Sequence, residues 1–213
     1  MDDLFLKYYE FLILENEKIN LTAITKKEEV YIKHFQDSLN TELAINFLNV
    51  SSICDVGSGA GFPGIPLKIK YPHLKLTIIE PTLKRCKFLE KLVLHLCLKD
   101  VIIINDRAEN LQKLRNNFDV VVARAVASLP ILVEICIPLV KVNGFFIALK
   151  GSNYQEEVDN SKQALRLLTS EVENIITYEL GNYGTHSLIK IKKLKETVAK
   201  YPRAYAAIKK KPL

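Results

Sequence analysis

The segment Cys54-Asp55-Val56-Gly57-Ser58-Gly59-Ala60-Gly61-Phe62-Pro63-Gly64 constrains this chain more than any other. It concentrates four of the eight glycines into one turn. An apolar run, Ile53 to Val56, enters it, and a helix-compatible run, Ile65 to Lys70, leaves it. Strand, glycine turn and helix in that order bring backbone N–H groups up to a ligand. Glycine serves there because it takes positive φ at little cost and has no side chain to hold a ligand away. A chain built on such a turn is expected to carry a parallel sheet with a ligand at its strand ends.

The remaining pattern agrees. Residues 3–18 read as an amphipathic helix with Leu4, Tyr8, Phe11 and Ile19 on its apolar face, ended by Asn16 to Asn20. Thr25 and Glu28 have capping-box spacing. A helix over 31–48 is expected to bury Ile32, Phe35, Leu39, Leu43 and Phe47. From residue 51 strands and helices alternate. Strands are expected at 53–56, 75–80, 101–105, 119–123 and 145–149, followed by an antiparallel pair at 175–180 and 188–191 joined through Gly181 and Gly184. Between them fall helices at 65–70, from Thr82 to about Leu98 with Leu83, Cys86, Leu89, Val93 and Leu96 inward, a short one near 109–114, 129–140 stopped by Asn143-Gly144, and 154–170. This alternation predicts an α/β fold, with a parallel sheet and helices on both faces. The expected division is a helical extension over 1–50, the main domain over 51–192 and a tail over 193–213.

Composition excludes other classes. No apolar run reaches membrane-span length, and the Met-Asp-Asp start lacks a basic region ahead of an apolar core. Four scattered cysteines without a C-x-x-C point to reduced thiols in a cytoplasmic protein, and the four histidines form no metal-ligand pattern. The net charge of +6 is lopsided. Residues 190–213 hold nine lysines and arginines against one acid, while the rest of the chain is slightly acidic. A tail of that kind is either solubilising or a contact for a phosphate backbone.

In an open α/β sheet the ligand lies beyond the carboxyl ends of the strands. Glu80 ends the second strand, 19 residues beyond Gly61, where a carboxylate can accept hydrogen bonds from ribose hydroxyls. Arg107-Ala108-Glu109 follows the third strand, Arg124 the fourth and Lys150-Gly151 the fifth. The glycines nearest the strand are Gly57, Gly59 and Gly61, a register suited to the methionine part of S-adenosylmethionine rather than to a pyrophosphate. Asp55 fits a cationic amino group, and Glu109 an adenine edge. Among methyl acceptors, cytosine C5 needs a cysteine nucleophile in a Pro-Cys pair, which is absent, and adenine amino groups are usually met by an Asn/Asp-Pro-Pro-aromatic loop where this chain has Ala123-Arg124-Ala125. A cation there suits guanine, whose N7 and O6 accept side by side and whose N7 needs no general base. Arg124 could equally orient O6, a phosphate or a cofactor carboxylate, or form a salt bridge with Glu80 or Glu109.

These residues carry a family resemblance. The stretches 20–24, His34-Phe35-Gln36-Asp37-Ser38-Leu39, 55–67, Lys84-Arg85, 107–109, 118–125, Lys150-Gly151, Tyr201-Pro202-Arg203 and Lys211-Pro212-Leu213 resemble the RsmG (GidB) family of 16S rRNA guanine-N7 methyltransferases over nearly the full length. The resemblance implies a Rossmann-like S-adenosylmethionine-dependent methyltransferase fold with a mostly parallel seven-stranded sheet. It implies S-adenosylmethionine as cofactor and a guanosine of the decoding-site loop as target, in 16S rRNA of the 30S subunit or a late precursor, for a monomer without a stable protein partner. Cofactor contacts are implied at Asp55, Gly57, Gly59, Gly61, Phe62, Glu80, Pro81, Thr82, Ala108, Glu109 and Arg124. Substrate positioning is implied at His34, Asp37, Arg124 and Lys150, and RNA contacts at Lys33, Arg203, Lys209, Lys210 and Lys211. His34 and Asp37, three apart on a helix, could instead brace it. The tail departs from the family, with Ala204, Ala206 and Ile208 in place of the usual Lys, Gly and Pro. Rival readings are methylation of another RNA and a non-catalytic rRNA-binding assembly factor.

Overall fold

The computed structural model describes residues 2–213. Helix α1 (Asp2–Ile19) buries Phe5, Tyr8 and Leu12. It ends where the Asn16 carboxamide oxygen accepts the N–H groups of Leu21 (2.6 Å) and Thr22 (2.9 Å) and Asn20 turns to positive φ. The next helical stretch is composite: α2 (Lys27–Val30), a π-turn over Tyr31–Gln36, α3 (Asp37–Leu39) and a 3-10 turn over Asn40–Leu43. Lys26, not Thr25, is its N-cap, and no side chain caps it. The wide turn and the tight one shift the helical phase, which leaves Leu43 exposed while Phe35 and Phe47 are buried.

The sheet then assembles from β1 (Ser52–Val56), β2 (Lys75–Ile79), β3 (Val101–Ile104), β4 (Phe118–Arg124), β5 (Val140–Lys150), β6 (Ser170–Glu179) and β7 (Thr185–Lys193). Their order is β3-β2-β1-β4-β5-β7-β6, with β7 antiparallel to β5 and to β6 and the other pairs parallel. Strand order reverses between β1 and β4, which opens a crevice at their carboxyl ends. Helices α4 (Gly64–Lys70), α5 (Leu83–His95), α6 (Leu129–Cys136) and α7 (Tyr154–Leu167) cover the faces. One buried cluster joins α1 and Phe35 to Ile53, Leu76, Val120 and Ile147. The other joins Cys54, Val121, Phe146 and Ile189 to α6 and to Tyr201 and Ile208 of the tail. Neighbouring strand residues fall in different clusters because successive side chains point to opposite faces.

Two expectations need correction. Leu83 is exposed, because residues 81–84, including the first helical turn of α5, stand clear of the sheet. Asn143-Gly144 does not stop a helix: α6 ends at Cys136, one 3-10 turn containing Pro138 follows, and Val140 already begins β5. Proline lacks the N–H and sterically opposes a continuing helix, while Asn143 and Gly144 lie in a bulged part of β5. The tail packs on the main domain. Helix α8 (Tyr205–Lys210) forms over the positions where alanine and isoleucine replace the family's glycine and proline, and its Ile208 is fully buried.

Candidate functional site: a two-chambered crevice at the strand ends

The glycine turn forms the floor. Gly57 and Gly59 take positive φ (71° and 61°) and line the crevice, and a Cβ on Gly59 would meet nothing within 4 Å. Gly61 (φ 104°) lies inward instead, where a Cβ would stand 2.5 Å from the Tyr8 hydroxyl. Asp55 is also inward and fully buried. Its Oδ2 accepts the Ser58 hydroxyl and the Gly64 N–H (2.8 Å), and Oδ1 has no protein partner. Burial pushes its carboxyl up to about 6, against the lowering effect of those two hydrogen bonds. Asp55 and Gly61, expected at the ligand, therefore shape the turn from behind. Tyr8 donates to the Ala60 carbonyl and stacks on Phe62 (5.4 Å between ring centres), so α1 braces the turn as well.

On one side of the turn lies a chamber of about 260 Å³ lined by Gly57, Glu80, Pro81, Thr82, Ala108 and Glu109, among others. Glu80 is held by the N–H of Gly59 (3.0 Å) and the N–H of Thr82 (2.9 Å). Glu109 is buried, and its Oε1 has no hydrogen-bond partner. A terminal nitrogen of Arg107 stands 3.7 Å from that oxygen.

On the other side lies a chamber of about 530 Å³ lined by Lys33, His34, Asp37, Arg124, Lys150 and His186, with Tyr183 at the rim. Asp37 is its hub. Its Oδ1 accepts the Tyr178 hydroxyl (2.7 Å) and His186 Nδ1–H (2.8 Å), and its Oδ2 accepts Arg124 (2.9 Å). Arg124 also donates to the carbonyls of Lys33 (3.1 Å) and His34 (3.4 Å), and lies 5.0 Å from the Phe62 ring centre. Its other terminal nitrogen is 3.3 Å from His34 Nδ1. Arginine only donates, so His34 Nδ1 accepts and Nε2–H points to the Thr22 hydroxyl (2.9 Å). Burial, aided by the Arg124 charge, lowers the His34 pKa to about 4, which leaves the ring neutral near pH 7. The ring stacks on Phe62 at 4.5 Å. Between the chambers, His34, Gly57, Phe62, Arg124 and Ala125 line a narrower space of about 190 Å³ that makes the crevice continuous.

The comparisons with known proteins match this architecture. Residues 1–189 match the family described as rRNA small subunit methyltransferase G, GidB. The chain belongs to that family. Curated relatives with the name ribosomal RNA small subunit methyltransferase G include those of Bacillus cytotoxicus (49% identical) and Bacillus subtilis (46%), each aligned over 97% of this chain and 88% of the relative. Among solved structures, the chain is similar to the M. jannaschii TYW2–AdoMet complex (TM-score 0.59, 16% identity, 75% of this chain and 77% of that one). It is also similar to a SAM-dependent O-methyltransferase from Thermotoga maritima (TM-score 0.59, 16% identity, 87% and 72%). Those two likenesses establish a Rossmann-like methyltransferase fold.

Within this family member, Gly57, Glu80, Pro81, Thr82, Ala108 and Glu109 share one chamber, and His34, Asp37, Arg124 and Lys150 share the other. Arg124 pairs with Asp37 and not with Glu80 or Glu109. Lys150 donates to the Ala127 carbonyl (2.7 Å) and pairs with Glu157 (2.6 Å), which also receives the Leu129 N–H. Lys33 pairs with Glu29 (2.9 Å) and stands 4.0 Å over the Tyr183 ring. Arg203 donates its backbone N–H, Nε and one terminal nitrogen to Glu134, which is fully buried and needs a partner. Lys209, Lys210 and Lys211 are exposed. Sequence reasoning missed Tyr178 and His186. They face each other in the β6–β7 register, so alternation along the antiparallel pair would have placed them together, but nothing local aims them at Asp37.

Proposed function

We propose that the chain transfers a methyl group from S-adenosylmethionine to N7 of a guanosine in 16S rRNA, with the smaller chamber holding the cofactor and the larger the base. The observation that carries this reading is the character of the larger chamber. It presents cations and N–H donors, and its buried carboxylate, Asp37, is already occupied by three donors. Such a lining suits a ring edge made of acceptors. N7, with an in-plane lone pair, has no proton to lose, so the reaction needs no base, and His186, whose Nδ1–H is given to Asp37, has no proton to remove.

The residues of the smaller chamber fit the cofactor. Glu80 directly follows β2 where ribose hydroxyls would lie, Glu109 Oε1 accepts no hydrogen bond, and Gly59, in the adjoining space, leaves room for close approach. Bound there, S-adenosylmethionine would supply an electrophilic methyl group and a neutral thioether leaving group. Transfer to the N7 lone pair would leave the positive charge on the base. The protein's part is alignment and exclusion of water. Neutral His34 keeps a further positive charge away from the base as it becomes cationic. Phe62 supplies a flat wall, and the Asp37 network fixes Arg124 at the junction of the chambers.

The test is tritium transfer from labelled cofactor into 30S subunits lacking the mark, with the labelled nucleoside identified by mass. The expected product is 7-methylguanosine in 16S rRNA. Label in no RNA, or in another nucleoside, overturns the reading. Neutralising Lys209, Lys210 and Lys211 together is expected to weaken RNA binding and to flatten its logarithmic salt slope by roughly two to three. An unchanged slope would make these lysines solubilising groups only.

A further inference from the structure

We propose that Tyr205, on the C-terminal helix α8, is a cofactor-site residue whose ring closes the Glu109 end of the smaller chamber. The inference rests on the reading of that chamber as the S-adenosylmethionine site. Four observations support it. Tyr205 lines the chamber together with Arg107, Ala108 and Glu109. The Arg107 guanidinium lies 4.1 Å over the Tyr205 ring and 3.7 Å from Glu109 Oε1, so ring, cation and carboxylate form one wall. Glu109 Oε1 makes that long ion pair and accepts no hydrogen bond. The segment that carries Tyr205 is anchored.

That anchoring is threefold. Arg203 is clamped on buried Glu134 of α6 through three donors. Ile208 is fully buried against the same layer. Arg115 donates to the carbonyls of Thr197 and Tyr201, which ties the approach to α8 onto the loop before β4. A ring held this way is preorganised for a planar ligand face and needs little ordering on binding. The family match covers residues 1–189, so Arg107 and Glu109 lie within it and Tyr205 beyond it. The helix runs through Ala206, Ala207 and Ile208 with no glycine or proline inside it. The same short helix ends in the exposed lysines, which places the cofactor wall and a cationic surface on one element.

The experiment uses the full chain with S-adenosylhomocysteine as probe, and wild-type binding is first measured by calorimetry. The chain has no tryptophan, so Tyr205→Trp introduces a single indole reporter that keeps an aromatic face over Arg107. Its emission is expected to change saturably along the same isotherm that calorimetry records for that variant. Tyr205→Ala is expected to raise Kd about three- to tenfold, as loss of one aromatic contact does, and Tyr205→Phe to restore it. Wild-type binding with indole emission unchanged at saturation overturns the inference and leaves the proposed function standing. So does a Tyr205→Ala Kd within twofold of wild type. If Tyr205→Ala unfolds, the indole titration decides alone. A wild-type chain that binds neither S-adenosylhomocysteine nor S-adenosylmethionine removes the reading of the chamber itself, and the inference with it.

Discussion

Replacing Asp37 by alanine is expected to cost about 3–5 kcal/mol of folding stability, the usual price of removing one partner from a buried ion pair. The Asp37 side chain is 4% exposed and that of Arg124 is 14% exposed, so solvent can do little to compensate the orphaned guanidinium. The Tyr178 hydroxyl and His186 Nδ1–H lose their acceptor in the same step. Urea denaturation of the wild type and Asp37→Ala measures the loss. A change below about 0.5 kcal/mol, typical of a surface site, would contradict the hub geometry. Asp37→Asn should fall between the two, because its amide NH₂ must face one of the three donors. Methyl transfer is expected to drop with Asp37→Ala even where the protein remains folded, since Arg124 and His34 are positioned through it. Arg124→Ala and the double variant complete a cycle, and a coupling energy near zero would mean that Asp37 and Arg124 act independently.

That network also marks how far the sequence could be read. The strands and the glycine turn were legible because period-2 runs and clustered glycines are local signals. Glu80, Glu109, Arg124 and Lys150 were legible because they follow strand ends, and a parallel sheet brings strand ends together, whereas His34 and Asp37, on the helical stretch before β1, came only from the family resemblance. The partner of Arg124 was not, because 87 residues separate it from Asp37 and the composite helix had to be placed over the carboxyl edge first. Tyr178 and His186 lie still farther from Asp37 along the chain. The inward direction of Asp55 and Gly61 was not legible for a different reason. The motif shows which residues build a turn but not which of them face inward, and that depends on what packs behind: Ser58 and Gly64 for one, Tyr8 for the other. The tail's charge was legible and its use was not. Lys193 is buried on the Asn116 side chain and the Val140 carbonyl, and Arg203 on Glu134, so part of the positive charge secures the fold.

The glycines of the turn are expected to separate folding from ligand binding. Gly61→Ala puts a Cβ 2.5 Å from the Tyr8 hydroxyl and 2.9 Å from Ile65, at a φ of 104°. Backbone strain and overpacking together should cost about 2–5 kcal/mol. The loss appears in the melting curve with or without ligand. Gly59→Ala meets nothing within 4 Å, so only its φ of 61° counts, for about 1 kcal/mol. Gly59→Arg should fold nearly as well as Gly59→Ala, since the side chain leaves into open space. That space is the crevice between the chambers, and an arginine lying in it should weaken S-adenosylmethionine binding more than a hundredfold. Calorimetry on the folded variant measures this directly. Tight binding by Gly59→Arg would place the cofactor away from the turn. Gly61→Ala that folds normally would remove the argument that Tyr8 holds the turn from behind. The two substitutions lie two residues apart on one loop, and they should give opposite patterns because one glycine faces the core and the other faces the ligand.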